Sequence, residues 1–138
     1  MLLKIIPILL LLLGTATLAG CANSPAEAAV AGTVTYLQRI ALPPDAVVTV
    51  RIEDVSRADA PAEVIGEQVI KTEGAQVPIP FEVPYDPGKI EDNHSYSLRV
   101  RIEDSAGKLL FTNDTSVPVI TRGNPTQDIE VIVIPTGG

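Results

Sequence analysis

The chain has 138 residues, a formal net charge of −7 at neutral pH and a single cysteine, Cys21. The acidic balance argues against a nucleic acid partner, because phosphate binding needs clustered lysine and arginine. It also argues against attraction to anionic lipid by charge alone, and the lone cysteine excludes an intramolecular disulfide.

The first twenty residues have the three parts of a secretory signal peptide. Met1 and Lys4 carry positive charge, residues 5–13 are almost purely aliphatic, and residues 14–20 are small and neutral. The tetrapeptide Leu18–Cys21 is similar to a bacterial lipobox, which predicts cleavage before the cysteine and lipidation of its thiol. A secreted protein with an unmodified thiol is the alternative. A spanning helix is disfavoured, because the apolar run is shorter than the roughly 20 residues required.

The predicted lipid anchor at Cys21 sets the expected compartment. One acyl chain binds a membrane reversibly, whereas several signals together give stable anchoring. In lipoproteins of this kind an aspartate after the cysteine is the usual signal for retention at the inner membrane, and here Ala22 follows. In a bacterium with two membranes, this predicts the periplasmic face of the outer membrane, with the bilayer as a partner through the acyl chains.

Beyond the cysteine, the sequence predicts a tether over 21–29, one domain over 30–134 and a disordered tail over 135–138. Apolar and polar residues alternate in short runs separated by turn residues, which favours strands. The third run could be a short helix, but β-branched residues and Gly66 favour a strand. The predicted strands cover 30–38, 47–55, 63–72, 77–84, 95–104, 108–113, 117–121 and 128–134.

Seven or eight short strands of this kind predict an all-β fold, an antiparallel Greek-key (Ig-like) β-sandwich. Pro78, Pro80 and Pro84 alternate with apolar residues in the fourth run. Proline has no N–H to donate, so this run is expected at a sheet edge whose outer side is unavailable for pairing.

Tyr96 follows Ile90 by six residues and begins the clearest alternating strand. This spacing is typical of a tyrosine corner, in which the hydroxyl bonds to backbone upstream. The alternative is an amphipathic tyrosine at a strand end without that hydrogen bond.

A five-residue sequence, Val-Arg-Ile-Glu-Asp, occurs at 50–54 and again at 100–104. Asp54 and Asp104 could therefore form a paired site. The alternative is that the two copies are similar strands of one sandwich, with their charged residues in water.

The sequence predicts no catalytic, cofactor-binding or metal-binding residue. His94 is the only histidine, the adjacent Ser95 would point elsewhere, and no Gly-x-Ser-x-Gly motif occurs. Zinc would need more His or Cys ligands. Calcium remains an alternative, because acidic residues share two loops; they are Asp86, Glu91 and Asp92 in one and Glu53, Asp54 and Asp59 in the other. An aromatic content of 4% gives little support to a sugar-cleaving enzyme.

With these features in place, the chain resembles the YbaY family, which is related to the YscW-type lipoprotein chaperones (pilotins) of type III secretion. The resemblance extends over about 30–121 and is carried by the segments 30–36, 40–50, 53–61, 77–87 and 96–102. It implies an envelope lipoprotein with a β-sandwich domain and no known catalytic residues. In one branch, pilotins bind a secretin subunit and carry it to the outer membrane.

We therefore expect a non-enzymatic binding or chaperone module that offers a sheet face or strand edge to an envelope partner, such as an outer-membrane subunit. The proline-bearing strand would be a poor edge for strand addition, so the other edge is the candidate. The alternatives are a structural lipoprotein without a specific ligand and an enzyme of envelope polymers.

Overall fold

The computed structural model describes residues 28–137, so the predicted signal peptide, Cys21 and most of the predicted tether lie outside the described residues. Within this range the chain forms strands joined by turns and one 3-10 turn at Pro87–Lys89. The strands are β1 (Ala28–Thr35), β2 (Val47–Asp54), β3 (Glu63–Lys71), β4 (Ile79–Tyr85), β5 (Tyr96–Glu103), β6 (Leu109–Thr112), β7 (Pro118–Val119), β8 (Ile129–Ile132) and β9 (Ile134–Pro135).

The strands form two sheets that pack face to face. One sheet has the order β4-β1-β8, and the other has the order β3-β2-β5-β6-β9 with β7 beside β5. The predicted all-β sandwich is therefore confirmed, and the third run is a strand rather than a helix. Two details of the prediction are wrong. The pair β1–β8 is parallel, and the last predicted strand is split at Val133, because the chain crosses there from one sheet to the other.

The ends of the domain also differ slightly from expectation. β1 begins at Ala28, inside the segment predicted as tether, and β9 includes Pro135, which pairs with Phe111. β1 stops at Thr35 rather than Gln38, because the chain bends at Leu37 and Gln38. The hydroxyl of Tyr36 donates to the carbonyl of Ile40 at 2.6 Å.

The centre of the core is the antiparallel pair of β2 and β5, which runs through eight residue pairs. Alternate residues of both strands point inward and are at most 2% exposed; they are Val48, Val50, Ile52, Leu98, Val100 and Ile102. Burying each such side chain contributes about 1.5–3 kcal/mol relative to leaving it in water. The alternation in the sequence identified this inward face correctly.

The repeated pentapeptide lies within this pair. Val50 is directly opposite Val100, so the two copies run in opposite directions beside each other. Asp54 consequently lies at one end of the sheet and Asp104 at the other. A paired site of these two aspartates is therefore wrong, and the copies are similar strands of one sandwich.

The outer side of β4 is closed to further pairing. Pro80 and Pro84 have no N–H, and the N–H of Glu82 between them donates to the side-chain oxygen of Gln68 on β3 at 2.7 Å. β3 lies close alongside, since a Cβ on Gly66 would be 2.6 Å from the carbonyl oxygen of Pro84. The predicted edge strand with an unavailable outer side is confirmed.

The predicted tyrosine corner is also present. Tyr96 is 2% exposed, and its hydroxyl accepts a hydrogen bond from the N–H of Glu91 at 3.0 Å. This bond ties the loop before β5 to the start of that strand.

Replacing Tyr96 with phenylalanine is expected to lower the free energy of unfolding by about 1 kcal/mol, because the Glu91 N–H loses its partner. Tyr85→Phe is the matched control and should change it by about 0.5 kcal/mol or less, since no hydrogen bond involves the Tyr85 hydroxyl within residues 28–137. Urea denaturation measures both. Equal effects of the two substitutions would show that the corner bond does not stabilise the fold.

Gly32 is required where β1 meets β8, because a Cβ at this position would overlap the carbonyl oxygen of Ile129. We expect Gly32→Ala to destabilise the domain by about 1–3 kcal/mol in the same denaturation assay. Gly137→Ala is the control, since a Cβ there meets open space. A Gly32→Ala protein as stable as the wild type would contradict the tight β1–β8 contact.

Candidate functional site

Three side chains that were considered only as alternatives for catalysis or calcium binding meet at one end of the sandwich. Asp54 ends β2, and His94 and Glu91 lie in the loop before β5. The Nδ1 atom of His94 lies 2.6 Å from Oδ2 of Asp54, and its Nε2 atom lies 2.9 Å from Oε2 of Glu91. The imidazole therefore bridges two carboxylates. Asp54 is 40 residues from His94 in the sequence, whereas Glu91 lies three residues before it.

The serine near this cluster does not contact the imidazole. The hydroxyl of Ser56 donates to Oδ1 of Asp54 at 2.6 Å and accepts the N–H of Ser95 at 2.9 Å. A Ser-His-Asp triad needs the serine hydroxyl on the histidine. Here the serine bonds the carboxylate instead, and Ser95 contributes only its backbone. The cluster joins β2 to the β4–β5 loop. It also reaches the segment after β7, because the hydroxyl of Thr121 donates to the carbonyl of His94 at 2.7 Å.

The contacts within the cluster shift the pKa values of both His94 and Asp54. The hydrogen bond to Asp54 raises the pKa of His94 above its ordinary value, and the nearby Glu91 adds to this effect, while partial desolvation acts in the other direction. Burial would raise the pKa of the Asp54 carboxyl, but hydrogen bonds from Ser56 and His94 outweigh burial, so that its pKa is lowered. The pair is therefore stabilised in its ionised form.

The loops considered for calcium are used in other ways. Asp86 caps the 3-10 turn by accepting the N–H of Gly88 at 2.9 Å, and Asp54 binds His94 and Ser56. Across residues 28–137, no group of three or more His, Cys, Asp or Glu side chains is arranged to hold a metal ion.

The second region of interest is the open edge of β8. The N–H of Val133 donates to the carbonyl of Thr35, so the odd-numbered residues of this segment face β1. Backbone groups alternate in direction along a strand, and those of Glu130 and Ile132 therefore face away from β1. β8 ends its sheet, and no strand within 28–137 pairs with that side.

The edge stays open because β6 leaves its sheet early. β6 ends at Thr112, and the side chain of Asn113 takes the place of a strand residue beside β5. It accepts the N–H of Val100 at 2.9 Å and donates to the carbonyl of Leu98 at 3.0 Å. The following chain then bends toward β7, with Val117 bonded to Leu98 and Ser97.

This bend leaves a notch of about 480 Å³ between the outer edge of β8 and segment 114–118. Its apolar lining includes Val117, Pro118, Ile132 and Ile134, and two of these are exposed, Ile132 at 43% and Ile134 at 38%. The two charged residues that line it, Asp114 and Glu130, are both acidic. We refer to this region as the β8 notch. The alternation of the prolines indicated the closed edge, but no local pattern indicated the notch itself.

No helix in the part of the chain that the structure describes is long and apolar enough to cross a membrane. The placement of Cys21, the predicted lipidation site, remains outside the described residues.

Comparisons with known proteins connect this geometry to a family. Residues 25–131 match the sequence profile described as "Type III secretion system lipoprotein chaperone (YscW)". The chain is 39% identical over 105 residues to the "Uncharacterized lipoprotein YbaY" of Escherichia coli strain K12. The match covers 76% of this chain and 55% of that protein, so the chain spans about half the length of this relative.

A solved structure is also similar. It is described as "Structure of an alternative pilotin from the type II secretion system of Vibrio cholerae", and it superposes with a TM-score of 0.77 at 45% sequence identity. The match covers 81% of this chain and 99% of that one. The β-sandwich therefore has a counterpart of known structure.

We expect Asp54→Asn to lower the pKa of His94, because the hydrogen bond and the charge that raise it are lost or weakened. The folded-state pKa is higher than the unfolded value of about 6.5, so the contribution of His94 to stability is complete below that pH and disappears as the pH rises through the folded-state pKa. An NMR titration follows the single histidine directly.

Asp104→Asn is the matched control for this titration, since Asp104 lies at the opposite end of the sheet and should leave the pKa of His94 unchanged. Equal titration curves for the wild type and Asp54→Asn would contradict the ion pair.

Proposed function

The chain belongs to the family of type III secretion system lipoprotein chaperones (YscW), and on this premise we propose that it is a lipid-anchored chaperone of the cell envelope. Its partner is an outer-membrane subunit of the secretin class. The similar solved structure is described as a pilotin of a type II secretion system, which supports a role in bringing such a subunit to its membrane.

The proposed anchor is the acylated Cys21, and the proposed location is the periplasmic face of the outer membrane. Ala22 in place of an aspartate supports this location. The chain is acidic overall, so the acyl chains rather than charge hold it at the bilayer. Seven peptide units separate Cys21 from Ala28, and they reach at most roughly 25 Å. The sandwich therefore stays close to the lipid surface.

The observation that carries the binding role is the difference between the two flanks. The flank at β4 is closed by two prolines and by Gln68, whereas the flank at β8 is open and has exposed isoleucines. Proteins usually block or cover exposed strand edges, because open edges invite pairing with other chains. An open edge beside apolar side chains supports a surface that is kept free for a partner.

A catalytic role receives less support. The family is described as one of chaperones, and the His94 cluster has the geometry of an ion pair that fastens loops together. Both imidazole nitrogens face carboxylates, and the nearby serine does not contact the ring. We therefore assign no reaction to this cluster.

Replacing Cys21 with serine is expected to release the protein from the membrane fraction and to abolish recovery of an outer-membrane partner in a crosslinking pull-down from envelopes. The reason is that the serine cannot receive the lipid that anchors the chain. Ala22→Asp is the matched control, since it keeps the lipid and is expected to move the protein to the inner-membrane fraction.

Two results would overturn the proposal. One is equal fractionation of wild type and Cys21→Ser, which would remove the anchor. The other is the absence of any discrete outer-membrane partner with the wild-type protein, which would remove the chaperone role.

A further inference from the structure

We propose that the β8 notch receives an extended segment of the partner, which joins the sheet as an added strand along Glu130 and Ile132. The segment is apolar at alternate positions and carries a lysine or arginine. This inference rests on the proposed function and specifies how and where the chaperone binds.

The backbone of β8 provides the first argument. Glu130 and Ile132 each direct one N–H and one C=O toward the notch, because their neighbours bond to β1. Two residues after Ile132, the backbone on this same side of the chain already pairs with a strand. Ile134 and Pro135 pair with β6, and the N–H of Thr136 donates to Leu110. An added strand would continue the line of β6 into the place that β6 vacates.

The same groups argue against a helical partner. A helix uses its own backbone groups internally, so it would leave the outward N–H and C=O groups of Glu130 and Ile132 without protein partners. An extended segment can form up to four hydrogen bonds with them. It would also occupy a position bounded by β8 on one side and by segment 114–118 on the other.

The side chains around the notch set the chemistry of the segment. Ile132 and Ile134 are 43% and 38% exposed, and Val117 and Pro118 line the opposite wall. Since successive side chains of a strand point to opposite faces, every second residue of the segment would cover these apolar groups. Asp114 and Glu130 add two negative charges and no positive one within the lining, which favours a cationic residue in the segment.

The test uses overlapping synthetic peptides that cover the sequence of the partner recovered in the envelope pull-down, measured against the purified chain. At least one peptide should bind, and Ile132→Pro should weaken it about fivefold to tenfold, because the substitution removes one outward N–H. Ile132→Val is the matched control. It keeps the N–H and most of the side chain, and it should bind within about twofold of the wild type. Circular dichroism checks that each variant is folded.

A second measurement does not depend on the folding of a variant. N-methylation of the peptide at successive positions should weaken binding at every second position only, because alternate N–H groups of an added strand face β8. Glu130→Gln should in addition reduce the salt dependence of binding, since one attractive charge is lost.

The outcomes separate the two proposals. If a partner is recovered but no peptide binds, or if binding is unaffected by N-methylation and by a folded Ile132→Pro, strand addition is wrong while the chaperone role stands. If N-methylation weakens binding without a period of two, the segment is not an added strand. If no partner is recovered, the chaperone role fails, and strand addition by such a partner fails with it.

Discussion

The pairing of β2 with β5 is the constraint on which the rest of the sandwich depends. These two strands match over their full length and place six aliphatic side chains in the core. β3 adds to the free side of β2, and the free side of β5 is shared between β6 and β7, because each of them is shorter than β5. Asn113 fills the interval between β6 and β7 with side-chain hydrogen bonds. The notch beside β8 is thus a consequence of a long central strand with two short neighbours.

The two edge strands of the three-stranded sheet, β4 and β8, differ in how their unpaired backbone groups are protected from pairing with other chains. At β4, proline and a glutamine side chain remove every outward donor from Pro80 to Pro84, and β3 covers what remains. At β8, the edge is only four residues long, it includes the acidic Glu130, and the acidic Asp114 lines the same notch. A short, negatively charged edge limits unspecific pairing with other chains while leaving backbone groups accessible. Selectivity for a partner can therefore arise from the length and charge of this edge.

Much of the fold could be predicted because it depends on local patterns. Alternation located the strands, the prolines identified β4 as an edge, and the position of Tyr96 indicated its hydrogen bond to the preceding loop. Local patterns could not predict contacts between segments that are distant in the sequence. His94 lies 40 residues from Asp54, and the parallel pair of β1 and β8 joins opposite ends of the domain. Gly32 did give a signal, since a glycine inside a strand often marks a close backbone approach.

The position of β1 has a mechanical consequence. The chain enters the sandwich at Ala28, and β1 is the central strand of its sheet, bonded to β4 on one side and to β8 on the other. Hydrogen bonds between strands run across the strand axis. Tension along the chain from Ala28 therefore shears two rows of bonds together instead of opening one bond at a time. A cargo held at the edge of β8 would be a single strand away from the segment that leads to the proposed lipid anchor. The pull of a large cargo would then reach that segment through the β8–β1 ladder without crossing the rest of the core.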